Sequence, residues 1–279
     1  MQFHTFHTNE RQRIKLRIYN SKKVKNMKFA THVLLFNQDN WILKNIENSG
    51  EFVDKIYVSW SDKPWDYNKK ARNEFTNKSN LEILKLSKFY DKIVLVKGVW
   101  DTEQDQRNAC VNMAKNDGID YLIIHDADEF YTYNDFKKMI ENIKENPDFD
   151  YYTTPWVTFW KNLNNIMIRE NGETIMGHPE IAINLNRNVN FISLRKPSGN
   201  KVKQLNSLCY HASYVLSDDE CWSKINTWGH SHQFDTKKWF NDKWINWKPG
   251  NTCMHPITPC IWYSTKYFDD NDLPEVLKK

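Results

Sequence analysis

Three carboxylates, Asp126, Asp128 and Glu129, crowd into four residues of the stretch YLIIHDADEFYTY (121–133), which is otherwise largely apolar and aromatic. Such groups repel one another and resist removal from water, so at the end of an apolar run they either face solvent or share a cation. On an extended chain Asp126 and Asp128 project to one face, ~7 Å apart, and one divalent cation fits between them. A hard ion held by two carboxylates keeps positions for water and for a substrate phosphate. The residues alone leave both readings open: a solvated acidic turn, or a cation site that neutralises a diphosphate.

Basic residues with compatible placement lie on either side. Arg107 falls on an expected helix over 103–117, in a stripe with Cys110, Val111 and Ala114 that packs on a sheet. A partly buried guanidinium needs an anionic partner. Asp126, Asp62 and a bound phosphate are the candidates, with a purely structural ion pair as the alternative. Downstream, CYHASYV (209–215) and KINTWGHSH (224–232) supply His211, Lys224, His230 and His232. A strand over 211–216 runs out about 16 Å and a helix over 218–229 returns about 18 Å, which brings His230 and His232 back towards His211. Lys224 shares a helix face with Cys221 and Trp228 and reaches a phosphate from there. A zinc site built from Cys209, His211, Cys221, Cys253, His255 and Cys260 is a rival, but their spacings match no compact zinc motif.

The elements that must position these groups alternate. FATHVLLFN (29–37), DKIYVSWS (54–61), DKIVLVKG (91–98) and DYLIIHD (120–126) read as strands, and the segments between them as helices or helix-compatible stretches. Gly50 suits a helix end, and the 103–117 helix has Thr102 as N-cap and Gly118 as stop. Strand–helix alternation over 130 residues predicts crossover units on a mostly parallel sheet, whose ligands bind beyond the carboxyl ends of the strands. Asn37, Trp60, Asp62, Gly98 and the acidic cluster all lie at those ends. After residue 150 the alternation weakens into a mixed-strand and helical extension. There Ser217 and Glu220 form a capping box and Gly229 a helix stop.

Composition narrows the class. At 279 residues the chain suits one large α/β domain, and its 12 Trp and 13 Tyr exceed what packing alone asks for. Residues 1–28 carry a net charge of +7 and the remainder −3, so the basicity is local. The basic arm reads as a solvated extension over 1–27, with peripheral contact to an anionic membrane as its alternative and nucleic acid not expected. Five cysteines without a CxxC pair, no apolar leader and no spanning segment lead us to expect free thiols and a soluble, cytoplasmic protein.

The motif DADE after three strand–helix units resembles the Asp-x-Asp motif of family 2-like glycosyltransferases with the GT-A fold, over roughly residues 28–235. The distal His-x-Ser-Tyr segment, followed by a Lys and histidines, is similar to family 17 N-acetylglucosaminyltransferases. QRN at 106–108 is similar to an Arg-Asn pair in many GT-A sequences. The resemblance implies a Rossmann-like, mostly parallel sheet flanked by helices, in one domain over 28–279. Residues 28–130 would form the nucleotide-sugar half and 131–279 the acceptor half. It implies Mn2+ (or Mg2+) on Asp126, Asp128 and His211. The donor would be a nucleotide sugar, a UDP-sugar first among candidates, contacted by Asn37, Trp60, Asp62, Arg107, Asp126, Ala127, Asp128 and Lys224. The acceptor would be a glycan or glycoconjugate on a platform of Trp156, Phe159 and Trp160.

An inverting transfer needs a carboxylate base. Among Glu170, Glu173 and Glu180, the last opens the alternating EIAINLN and is favoured; a retaining enzyme needs none. Two other functions stay open: a sugar nucleotidyltransferase, against which LFNQDNW offers no Gly-rich phosphate loop, and a Trp-rich carbohydrate-binding protein with a structural acidic cluster.

Overall fold

The computed structural model describes residues 27–278, so the basic segment before Met27, for which an extension was expected, lies outside the described residues. Strand β1 (Phe29–Leu35) is buried along nearly its whole length, as a central parallel strand covered on both faces must be. It leads into helix α1 (Asp39–Ser49), strand β2 (Lys55–Trp60), the short helix α2 (Lys69–Glu74) and strand β3 (Ile93–Lys97). Helix α3 (Glu103–Asn116) and strand β4 (Tyr121–Ile124) complete the parallel set, whose order across the sheet is β3-β2-β1-β4. Apolar clusters form on both faces. Ile42 and Ile46 of α1 pack with Val33 and Val58 on one side, and Cys110, Val111 and Ala114 of α3 pack with Ala30, Leu122 and Ile124 on the other.

The second half of the chain enters the same sheet and builds another. Strand β5 (Glu129–Phe130), helix α4 (Tyr133–Glu145), and strands β6 (Tyr151–Thr153), β7 (Trp156–Trp160) and β8 (Asn162–Ile168) follow in order. Then come β9 (Glu180–Asn184), a hairpin of β10 (Phe191–Ser193) and β11 (Lys196–Pro197), β12 (Val202–Gln204) and β13 (Cys209–Tyr214). Antiparallel β9 pairs with β4, and β6 and β12 extend the sheet beyond it. Helix α5 (Asp218–Thr227), the short helix α6 (Thr236–Trp239) and strand β14 (Ser264–Tyr267) close the chain, and the second sheet runs β14-β8-β7-β13-β5. The expected α/β architecture with a mixed extension is therefore present. Among the described residues no helix is long and apolar enough to cross a membrane.

Local signals fare well where they concern capping. The Thr102 side chain accepts from Asp105 N, the Ser217–Glu220 capping box is complete, and Gly118 has φ +69. Gly50 and Gly229 have other reasons to be glycine. Gly50 sits at φ −61, and a Cβ there would fall 2.2 Å from Cδ2 of Phe89. Beyond the end of α5, a Cβ on Gly229 would press on Leu194 at 3.1 Å. Residues Leu81–Leu86, expected as helix-compatible, form a 3-10 segment that Asn80 caps through Glu82 N.

Gly50→Ala forces the Phe89 ring out of its seat. We expect a loss of about 1–3 kcal/mol, the usual cost of overpacking, read as a lowered urea midpoint with unchanged slope.

Candidate active site

Strand β4 stops at Ile124, so Asp126 and Asp128 stand on a turn and not on a strand, and Glu129 opens β5: Glu129 N donates to Asp126 O at 2.8 Å. This corrects the expectation that Asp126 and Asp128 share a face, because a turn sends successive side chains to different partners. Two asparagines of α1 hold it from below. Asn45 Nδ2 donates to the carbonyls of Asp126 (2.9 Å) and Glu129 (3.2 Å), and Asn48 exchanges two hydrogen bonds with the Tyr131 backbone. Both asparagines are buried, so these bonds replace water that the turn has lost.

Each carboxylate meets its own cation. Arg107 forks onto Asp126, with Nη1–Oδ1 at 3.1 Å and Nη2–Oδ2 at 2.9 Å, while its Nε donates to Glu103 at 2.9 Å. Arg195 comes from the turn of the β10–β11 hairpin. It forks onto Glu129, touches Asp126 at 3.3 Å and donates through Nε to the Glu180 carbonyl at 2.7 Å. Asp128 points the other way, with Lys224 Nζ at 2.7 Å from Oδ2 and His211 Nε2 at 3.5 Å from Oδ1. Burial pushes the Asp126 carboxyl up, but Arg107 and Arg195 outweigh it and hold the group at about 2. Burial also opposes ionisation of Asp128, and there Lys224 and His211 hold the carboxyl well below the usual range. For Glu129 burial prevails over Arg195 and the group is raised.

These groups line a cavity of about 390 Å³ whose outer wall includes Pro64, Trp65, Leu216, Trp228 and His230. β13 pairs antiparallel with β5, setting His211 opposite Glu129, and the His211 ring stacks on Trp156 at 4.4 Å and 12°. Arg107, Asp126, Ala127, Asp128, Lys224, His211 and Trp156 are therefore brought together as expected.

Other expected residues are placed elsewhere. Asn37 lines the cavity at φ 55, but its side chain accepts from Lys78 N and donates to Thr76 O, so it pins a loop and is not free for a nucleoside. Trp60 and Asp62 lie off the cavity wall; the Trp60 ring lies beneath Lys97 and the Asp62 side chain is exposed. Trp160 is fully buried against Trp239, Trp244 and Trp262, and Phe159 is buried too, so neither is an acceptor platform. Glu180 lends the site its carbonyl, and its carboxylate is not on the cavity wall. The zinc alternative fails because Cys209 and Cys221 are buried in separate clusters, while Cys253 and Cys260 contact each other at 3.0 Å elsewhere.

Arg195, Asn45, Trp65, Trp228 and Glu220 were not singled out for the site by the sequence. One signal bore on Arg195: of the three clustered acids only Asp126 had been offered a basic partner, Arg107, while Lys224 was assigned to a phosphate, which left Asp128 and Glu129 without a side-chain cation.

Among the described residues no three His, Cys, Asp or Glu side chains converge as a metal cage. Asp126, expected as a ligand, has both oxygens on guanidinium groups. Asp128 and His211 remain a facing pair on the cavity wall. That pair fits an open site in which one carboxylate and one imidazole hold an ion and substrate phosphate supplies further oxygens.

Residues 74–200 match the family described as Glycosyl transferase family 2, and no curated protein matches the chain. Among solved structures, the 1–349 portion of S. aureus TarS is similar at 13% identity and TM-score 0.42, covering 72% of this chain and 66% of that one. A longer S. aureus TarS structure gives the same identity and score, with 78% and 46% covered. A cytidylyltransferase from Leptospira borgpetersenii serovar Hardjo-bovis follows at 14% identity and TM-score 0.33, with 58% and 62% covered. The chain thus spans less than two thirds of each of these proteins, and likenesses at such scores decide nothing about its chemistry.

Arg107 is 1% exposed. Replacing it with Met should cost about 3–5 kcal/mol, the range for one broken side of a buried ion pair. Adding Asp126→Asn to that variant should lose less than the sum of the two single losses, as measured by denaturant unfolding.

Proposed function

We propose that the chain is a family 2-like glycosyltransferase of GT-A fold, as the family match over 74–200 supports, and that it moves a sugar from a nucleoside-diphosphate donor to a hydroxyl of a glycan or glycoconjugate. The observation that carries this reading is the convergence of Asp128, His211 and Lys224 on one cavity wall at the end of β4. Transfer breaks the bond between the sugar's anomeric carbon and the phosphate oxygen and forms one to the acceptor oxygen. The leaving diphosphate takes the electron pair, so negative charge grows there.

Charge balance supports a cation-dependent reaction. Glu103, Asp126, Asp128 and Glu129 face Arg107, Arg195 and Lys224, so the site's own cations are already matched and a diphosphate adds further negative charge. A divalent ion, Mn2+ before Mg2+ because His211 offers nitrogen, would be held by Asp128 and His211 and would offset that charge. Lys224, which meets Asp128 through one oxygen and rides on a flexible stem, would turn to the departing phosphate, whereas Arg107 and Arg195 are forked in place and orient the turn. Trp65, Trp156 and Trp228 present rings to the cavity and suit stacking against sugar.

In an inverting transfer the acceptor proton passes to a carboxylate. Among the described residues Glu220 is the one cavity carboxylate without a cationic partner. Its oxygens accept from Asn40 Nδ2 and Ser217 N, so the first turn of α5 orients it. It takes the role first assigned to Glu180.

Two measurements test the reading. Thermal shift with Mn2+ and a panel of nucleoside diphosphates should give stabilisation that needs both components; a shift with free glycan alone would leave only a binding protein. Glu220→Gln keeps the capping box and should lower kcat by about 10²–10⁴-fold, the usual contribution of a general base, with melting unchanged. Full activity in that variant rules Glu220 out as the base.

A further inference from the structure

Lys224 is held more completely than a phosphate-seeking lysine needs to be. Its ammonium donates to Asp128 Oδ2 at 2.7 Å, to Ser213 O at 2.9 Å and to Ser213 Oγ at 2.7 Å. An ammonium has three N–H groups, and all three are placed. Its side chain is 22% exposed and that of Asp128 9%, so the pair sits where a second cation is weakly screened. The other oxygen of Asp128 faces His211. One carboxylate is thus shared between a resident ammonium and the imidazole with which it would hold a divalent ion.

Two cations on one partly buried carboxylate repel, and the repulsion is relieved only when an anion arrives to take one of them. Neither arginine is placed to yield, because both are forked and Arg195 is also tied to backbone. Lys224 contacts Asp128 through a single oxygen and rides on a flexible stem. We infer that Lys224 is a resident counter-ion that keeps divalent cations off the Asp128–His211 pair until a nucleoside diphosphate draws its ammonium away. Metal binding is then contingent on nucleotide. The inference rests on the reading of a diphosphate donor, and it assigns Lys224 a second role in the free protein.

The test uses Mn2+ and UDP on the full chain. Free Mn2+ is followed by its electron paramagnetic resonance signal, and UDP binding in the presence of Mn2+ by tryptophan fluorescence against a protein-free control. Lys224→Met should bind Mn2+ alone ~tenfold or more tighter than wild type, because the competing charge is gone. It should bind UDP with Mn2+ ~tenfold or more weaker, because the phosphate partner is gone. A folding defect weakens both, so the opposite signs carry the proposal. Ser213→Ala, which keeps the ammonium but removes one acceptor, should tighten Mn2+ alone by less while leaving UDP binding close to wild type. If Lys224→Met and Ser213→Ala bind Mn2+ alone no tighter than wild type while wild type binds UDP with Mn2+, the counter-ion role is overturned and the donor reading stands. If no protein binds UDP, or any other nucleoside diphosphate of the panel put in its place, with or without Mn2+, the donor reading fails and the inference falls with it.

Discussion

Buried negative charge must be matched, and the architecture around the end of β4 follows from that constraint. Asp126, Asp128 and Glu129 are partly or wholly removed from water on the cavity wall. An unmatched carboxylate there would protonate or open the turn. Three separate elements therefore deliver cations to it: α3 brings Arg107, the β10–β11 hairpin brings Arg195 and α5 brings Lys224. Asn45 and Asn48 do the corresponding work for the backbone. The two classes of cation differ in kind. Forked guanidinium groups fix the turn and have little freedom left, whereas the ammonium on Asp128 is a point charge on a flexible chain.

How much of this was legible depends on range. The four parallel strands, the Thr102 cap and the Ser217–Glu220 box are written in neighbouring residues, where periodicity and capping chemistry act within a turn or two. The acidic cluster and Arg107 were legible as well, because charges on apolar faces demand an explanation. What failed was non-local. Trp156 and Trp160 are four residues apart on one strand. One stacks on His211, and the other is sealed by tryptophans that arrive some eighty residues later. Asn37 sits at a strand end as expected, yet the 76–79 loop claims its side chain. Arg195 had no local signature, and its partner lies 66 residues earlier.

Strands from the two expected parts of the chain, 28–130 and 131–279, share sheets. The expected halves interleave, since β9, β6 and β12 from the later part extend the sheet that β1 to β4 begin. β5, directly after the acidic turn, belongs to the second sheet through β13. The turn is thus the joint between the two sheets, which meet at one short piece of chain.

The sequence separation of Arg195 from Glu129 has a consequence for how the protein is made. A chain emerging from its N-terminus can complete β1 to β4 and α3 while the hairpin that carries Arg195 is still unsynthesised, and β13 and α5 come later again. Until then Glu129 lacks its guanidinium and Asp128 its ammonium, so the turn stays hydrated and the sheet's upper end stays open. Contacts of such long range impose a late, entropically costly closing step. The nascent first half accordingly exposes the hydrogen-bonding edge of β4 that β9 later pairs with, the kind of open edge that can pair with another copy until the chain is complete.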